Sequence, residues 1–197
     1  TTFLYEYAEN CGVNVFSPYD GGLYADDYGI WKHLRIPINP KDYPNVYVRP
    51  GYRVLYVVGN PYNSVCSLFR RGFHYWALER LTVPPEYSQK FNQDWSLADY
   101  LENGEDLFLL SDHVKNWTEK DYGQTYPIMV MKYEKMYQHK DVILDFMEIE
   151  TRKRKFFEYW QRNSNYQSLP ERQIELLKNI YGDLANYIDS LPDYFVR

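Results

Sequence analysis

The residues best placed to do chemistry lie between Tyr52 and Trp76, in the run YRVLYVVGNPYNSVCSLFRRGFHYW. Val54 to Val58 is a near-continuous apolar run rich in β-branched and aromatic side chains, the pattern of a strand buried on both faces. Gly59 breaks it. Asn60 is a good helix N-cap, Pro61 suits the first helical position, and Asn63 stands three residues past the cap, where a side chain can reach back. Val65, Leu68, Phe69 and Trp76 follow at helical spacings, so the run reads as a strand, a tight turn and a helix. Such a turn sets helix N-terminal amides and a few hydroxyls at the carboxyl end of a strand, where α/β proteins bind anions. Most strand-turn-helix units bind nothing, and the geometry alone names no ligand. Metal chemistry is not indicated. His74, His113 and His139 have no ligand spacing and read as helix or surface residues, while Cys11 and Cys66 read as buried free thiols in helices.

The elements that must position this stretch alternate in type. A helical face over Phe3, Leu4, Tyr7 and Ala8 stops near Gly12, and Val13 to Phe16 is a short strand candidate. Ser17 to Asp27 reads as a loop, Tyr28 to Ile36 as a second strand with Trp31, Lys32 and His33 near its end, and four prolines from Pro37 to Pro50 mark a long connection. Beyond the central helix, Thr82 to Asp94 reads as a surface loop, Ser96 to Leu101 as a short helix, and Glu105 to Trp117 as a longer one started by its acidic residues. Tyr126 to Tyr133 reads as an apolar strand and Glu134 to Met147 as a helix behind it. The last third gives no strand signal. There Ser168 to Glu171 predicts a capping box opening a helix to about Ser190, with Ile174, Leu177, Tyr181, Leu184 and Ile188 as its core stripe. The alternation implies an α/β layered fold with a mostly parallel sheet, as a single domain over 1–197: an α/β core over 1–147 and a helical segment over 148–197.

Composition narrows the partners. The chain has 197 residues, enough for one well-buried domain, and its formal charge of −5 argues against a nucleic-acid groove. One pocket for a small anion needs only local positive charge. Aromatics make up 19% of the chain, including 22 Tyr, and their scatter suits packing and crevice walls. No apolar run reaches the roughly 18 residues of a membrane span. The start has no signal-peptide pattern, which predicts a cytoplasmic protein; it opens inside a helical segment without Met, which leaves open an upstream segment with a targeting sequence. The sequon Asn116-Trp117-Thr118 falls inside a predicted helix and reads as a chance match.

Taken together, these segments resemble the sulfotransferases that use 3′-phosphoadenosine 5′-phosphosulfate (PAPS). Thr1, Thr2, Phe3, Leu4 resembles the end of the family's phosphosulfate loop, of the type Lys-x-Gly-Thr-Thr-x-Leu. Trp31 to Leu34 resembles the strand ending in the catalytic histidine, and VLYVVGNPYNSVCS resembles the 3′-phosphate motif, Arg-Asn-Pro-x-Asp-x-x-x-Ser at a strand-helix turn. His113, Val114 and Trp117 resemble the helical His-Val-x-x-Trp element, and Met131 to Glu134 the Arg-Tyr-Glu strand end. The matches keep the family's order over roughly residues 1 to 135.

The resemblance implies a three-layer parallel sheet flanked by helices, with helices of the last segment closing over the nucleotide. It implies sulfuryl transfer from PAPS, without a metal, to a hydroxyl or amine of a small-molecule or saccharide acceptor. The product would be 3′-phosphoadenosine 5′-phosphate. His33 would be the general base, an imidazole titrating near neutral pH. Thr1 and Thr2 would bind the 5′-phosphate, and Ser67 the 3′-phosphate. The chain departs from the family in three ways. The loop lysine and glycine do not precede Thr1 in this sequence, and Gly59 stands where an arginine is expected. Arg70 and Arg71 lie three and four residues after Ser67, and one of them is the expected replacement for that charge. The late Arg-Lys-Gly and Gly-Asp-Trp segment is not recognisable; the run Arg152, Lys153, Arg154, Lys155 and the later Arg162 reads first as a solvated charged face, with basic substitution for that segment as the alternative. Two other classes stay open: a non-catalytic nucleotide-binding or interaction protein on the same fold, and a small-molecule kinase, which would prefer ATP.

Overall fold

The sheet forms where the sequence is most apolar. The structure, a computed structural model, describes residues 7, 11–12, 35–37, 51–149 and 165–197. Among them, in chain order, are β1 (Val54–Val58), α1 (Pro61–Arg70), α2 (His74–Arg80), α3 (Pro85–Ser88), α4 (Leu97–Asn103), α5 (Leu110–Thr118), β2 (Ile128–Lys132), α6 (Lys140–Phe146), α7 (Glu171–Ser190) and β3 (Tyr194–Val196). Single 3-10 turns occupy Tyr133–Lys135 and Tyr166–Ser168. The fold is mixed α/β, with a three-stranded mixed sheet in the order β1-β2-β3. The chain divides into two compact units, one holding the described residues of Thr1–Val57, Lys120–Trp160 and Asp193–Arg197, the other those of Val58–Glu119 and Gln161–Pro192.

In the first unit β2 is the middle strand, and Ile128 to Met131 are all buried, so both of its faces are covered. β1 lies beside it in parallel, and Val54 N–H donates to Pro127 O at 3.0 Å. β3 is antiparallel, with Met129 opposite Val196 and Met131 opposite Tyr194. The period of two then decides what packs where. Leu55 and Val57 from β1 share a cluster with Met129 and Met131 from β2, and Val142, Ile143 and Phe146 of α6 complete it. Each fully buried side chain of this size is worth roughly 1.5–3 kcal/mol.

The second unit is helical. Of the predicted stripe on α7, Leu177, Tyr181, Leu184 and Ile188 are buried while Ile174, in the first turn, is half-buried, and α7 packs against α1 and α4. An aromatic group surrounds Phe69, whose ring lies 5.3 Å from that of Tyr100 and 6.3 Å from that of Phe91. Phe91 and Val83 are buried, so the passage from Thr82 to Asp94, expected as a surface loop, instead holds α3 and contributes to the core.

Helix ends differ most from expectation, for local reasons. The central helix does not run to Trp76. It ends at Arg70 because Gly72 takes φ 67, letting Gly72 N–H reach Phe69 O at 3.0 Å and Phe73 N–H reach Leu68 O at 2.9 Å. That is a Schellman cap, and glycine is the residue that enters it without a Cβ penalty. The same bonds close α2 at Thr82 and α6 at Glu148, where non-glycine residues take φ 48 and 54. At α6 the cap is completed by apolar contact between Leu144 and Ile149. Ser96 and Asp99 form a reciprocal capping box at α4, at the predicted place. Ser168 does not cap α7. Leu169, preceding Pro170, is extended, the helix starts at Glu171, and Ser168 Oγ donates to Asn165 O at 2.7 Å. The predicted helix behind β2 is a 3-10 turn followed by the shorter α6, and β3 adds a strand where the sequence gives no alternation to read. Three residues are too few for a period of two to show.

Candidate functional site

α1 begins as its residue types dictate. Asn60 Oδ1 accepts from Asn63 N–H at 3.1 Å, Pro61 holds the first turn, and Ser64 Oγ donates to Asn60 O at 3.0 Å. This limits what the terminus can offer an anion. Pro61 has no N–H, and the Asn63 amide is already bonded to Asn60. The Asn63 side chain does not reach back to the cap as expected. Its Oδ1 accepts from Tyr166 N–H at 2.9 Å, fixing the 3-10 turn against α1, while the Tyr62 and Tyr166 rings meet at 4.8 Å. Burial, then the neighbouring Tyr166 and Asp189, raise the Tyr62 hydroxyl above its ordinary pKa.

Ser67 sits half-buried on the second turn, beside the buried Val65 and Cys66. Arg70 and Arg71 are exposed at the end of α1. A helix brings i and i+3 or i+4 onto neighbouring positions, so α1 places Ser67, Arg70 and Arg71 along one side. The Arg71 guanidinium lies over the Phe73 ring, 4.6 Å from its centroid. Ser67 and Arg70 supply a hydroxyl and a guanidinium, the donor types a phosphate takes, and they do so with side chains rather than with helix amides. Thr1, Thr2 and His33 lie outside the described residues, as do the basic residues Arg152 to Lys155 and Arg162.

Two polar clusters were not singled out by sequence reading. Asp106 precedes α5, accepts from Ser111 N–H at 3.1 Å and takes a second bond from the Tyr181 hydroxyl at 2.9 Å. Tyr181 in turn contacts the Tyr100 hydroxyl, and both rings are fully buried. Asp106 thus caps α5 from four residues outside it, and the left-handed backbone of Leu109, φ 51, makes the helix begin at Leu110 and not at Glu105. Burial raises the Asp106 carboxyl above the usual carboxylate range, against the lowering effect of its hydrogen bonds. In the other unit, His139 Nε2–H donates to Asp193 Oδ2 at 3.1 Å, with Lys135 Nζ at 3.7 Å, and holds the Asp193 pKa below the ordinary value. Both clusters have structural duties, one at a helix start and one at the root of β3.

His113, Val114 and Trp117 are buried on α5, and Asn116 of the sequon is buried beside them. His74 stacks on Phe69 at 4.5 Å and donates from Nε2 to Gln93 O at 3.1 Å. Among the described residues no group of His, Cys, Asp and Glu is arranged to hold a metal ion, and no helix is long and apolar enough to cross a membrane. No protein-family model matches the chain, and no curated protein or solved structure is significantly similar to it.

Proposed function

We propose that this chain transfers the sulfuryl group of PAPS to a hydroxyl or amine of a small-molecule or saccharide acceptor, on the three-layer, parallel-sheet form of the α/β fold. One observation carries the reading. Three stretches of the resemblance have the local structure that each motif needs. GNPYNSVCS is a strand-to-helix turn with Ser67 on its helix, His113 to Trp117 is helical, and Met131 to Glu134 spans the end of a strand. In this reading Ser67 and Arg70 hold the 3′-phosphate, and Thr1 and Thr2 hold the 5′-phosphate.

His33 takes the acceptor proton as the acceptor oxygen or nitrogen bonds to sulfur. The sulfur–oxygen bond to the 5′-phosphate breaks, and its electron pair leaves with 3′-phosphoadenosine 5′-phosphate. The residues' contribution is position and charge, as in phosphoryl transfer. Incubation with PAPS and a mixed set of hydroxyl and amine acceptors tests this. The reading predicts a sulfated product that His33→Ala abolishes while nucleotide binding persists. Phosphorylated product with ATP would contradict it.

A second reading, a nucleotide-binding protein without turnover, is favoured by Gly59 and by the Asn63 amide already bonded to Asn60. It predicts binding of 3′-phosphoadenosine 5′-phosphate with no product from any acceptor.

A further inference from the structure

One hydrogen bond fixes which way round the Asn63 carboxamide stands. Tyr166 N–H donates to it at 2.9 Å, and only its oxygen can accept. Oδ1 therefore faces the 3-10 turn, and the Nδ2 amino group, with two N–H donors, is turned away from that contact. Nδ2 has no acceptor among the described residues, and the Ser67 hydroxyl one turn on has no partner among them either. Neither atom is enclosed, since the buried side-chain atoms without a partner among the described residues are Arg35 Nη1 and His74 Nδ1. Both donors are open to a solute.

Their spacing puts them in one row. At 3.6 residues per turn, Asn63, Ser67 and Arg70 at i, i+4 and i+7 fall within about 60° of one another around α1. Neighbours in such a row stand about 5–6 Å apart at Cβ, a gap that one phosphate group spans with two of its oxygens. Side chains on a helix lean toward its N-terminus, which brings the long Arg70 side chain back along the row. The row offers carboxamide, hydroxyl and guanidinium donors, and α1 contains no Asp or Glu to oppose an anion. The terminal amides of the helix are not needed.

We propose that Asn63 is a further 3′-phosphate-binding residue, donating from Nδ2 to the phosphate that Ser67 and Arg70 hold. This inference rests on the nucleotide reading given above. The Tyr166 main chain sets the carboxamide, and the Tyr62 and Tyr166 rings, in contact at 4.8 Å, hold that turn against α1. The donor is thus oriented before any ligand arrives, which lowers the cost of binding. Asn63 has two jobs, a clasp on the turn through Oδ1 and a phosphate contact through Nδ2.

The two jobs separate in Asn63→Asp. A carboxylate keeps the bond from Tyr166 N–H and suits the first turn of α1, but it replaces the two N–H donors with a negatively charged oxygen. Calorimetric titration of the full chain with 3′-phosphoadenosine 5′-phosphate and with adenosine 5′-phosphate, beside Ser67→Ala, tests the proposal. Asn63→Asp should melt no lower than the parent and bind 3′-phosphoadenosine 5′-phosphate about tenfold or more weakly. It should bind adenosine 5′-phosphate as the parent does. Asn63→Ala, which loses the clasp as well, should weaken the same ligand and melt lower. Parent-like affinity in Asn63→Asp while Ser67→Ala is weakened would overturn this inference alone. So would an equal loss for both nucleotides, which would leave Asn63 with the clasp only. A parent whose binding does not depend on the 3′-phosphate would overturn the nucleotide reading and this inference with it.

Discussion

Asn60 shapes the start of α1 through both its side chain and its carbonyl, so replacing it separates helix capping from ligand binding. Asn60→Ala should lower stability by about 1 kcal/mol, while Asn60→Asp keeps most of it, as read from denaturant unfolding. This cap was legible in the sequence because its partner, Asn63, is three residues away. The bond from Tyr181 to Asp106 was not, because Tyr181 stands 75 residues further along the chain. The raised pKa of Asp106 has a defined sign. The folded state binds the Asp106 proton more tightly than the unfolded chain does, so stability falls as pH rises from the unfolded carboxylate value through the folded one. Asp106→Asn has no such titration. Thermal unfolding across this range should show the parent losing ground to the variant as pH rises, and parallel curves would refute the account.

Element boundaries depend on single backbone conformations more than on periodicity. The spacing of Val65, Leu68, Phe69 and Trp76 continues one helical phase, yet Gly72 ends the helix between them. At α2 the equivalent position is Thr82, a β-branched residue at φ 48. Thr82→Gly should therefore stabilise the protein by up to about 1 kcal/mol, the order of the left-handed penalty, with a higher melting temperature as the readout. The α7 stripe was legible because it spans four turns of one phase. Leu177→Ala, deep in that stripe, should cost roughly 2–5 kcal/mol, whereas Trp76→Ala should stay within about 0.5 kcal/mol. A similar loss for both would contradict their assigned burial.

At the scale of the whole molecule, the α/β class followed from strands alternating with helices, but the third strand of the described sheet did not. β3 exists through pairing with β2 and through Asp193, which ties its root to His139 and Lys135. The Asp193 pKa is held low, chiefly by the His139 bond, so its contribution is present above the ordinary carboxylate range and lost as pH falls through the folded value. His139→Ala should move the acid loss of Lys132 amide protection to higher pH, since Lys132 N–H donates to Asp193 O at 2.9 Å. The candidate site was legible only where a motif is contiguous, as around Ser67; roles carried by residues far apart in the chain need the fold to bring them together. The central claim is therefore tested most directly at Ser67, by calorimetric titration of the chain and of Ser67→Ala with 3′-phosphoadenosine 5′-phosphate, adenosine 5′-phosphate and ATP. The account predicts binding that requires the 3′-phosphate and weakens about tenfold or more in Ser67→Ala, the loss of one hydrogen bond to a charged group. Equal affinity for adenosine 5′-phosphate, or no change in Ser67→Ala, would contradict it.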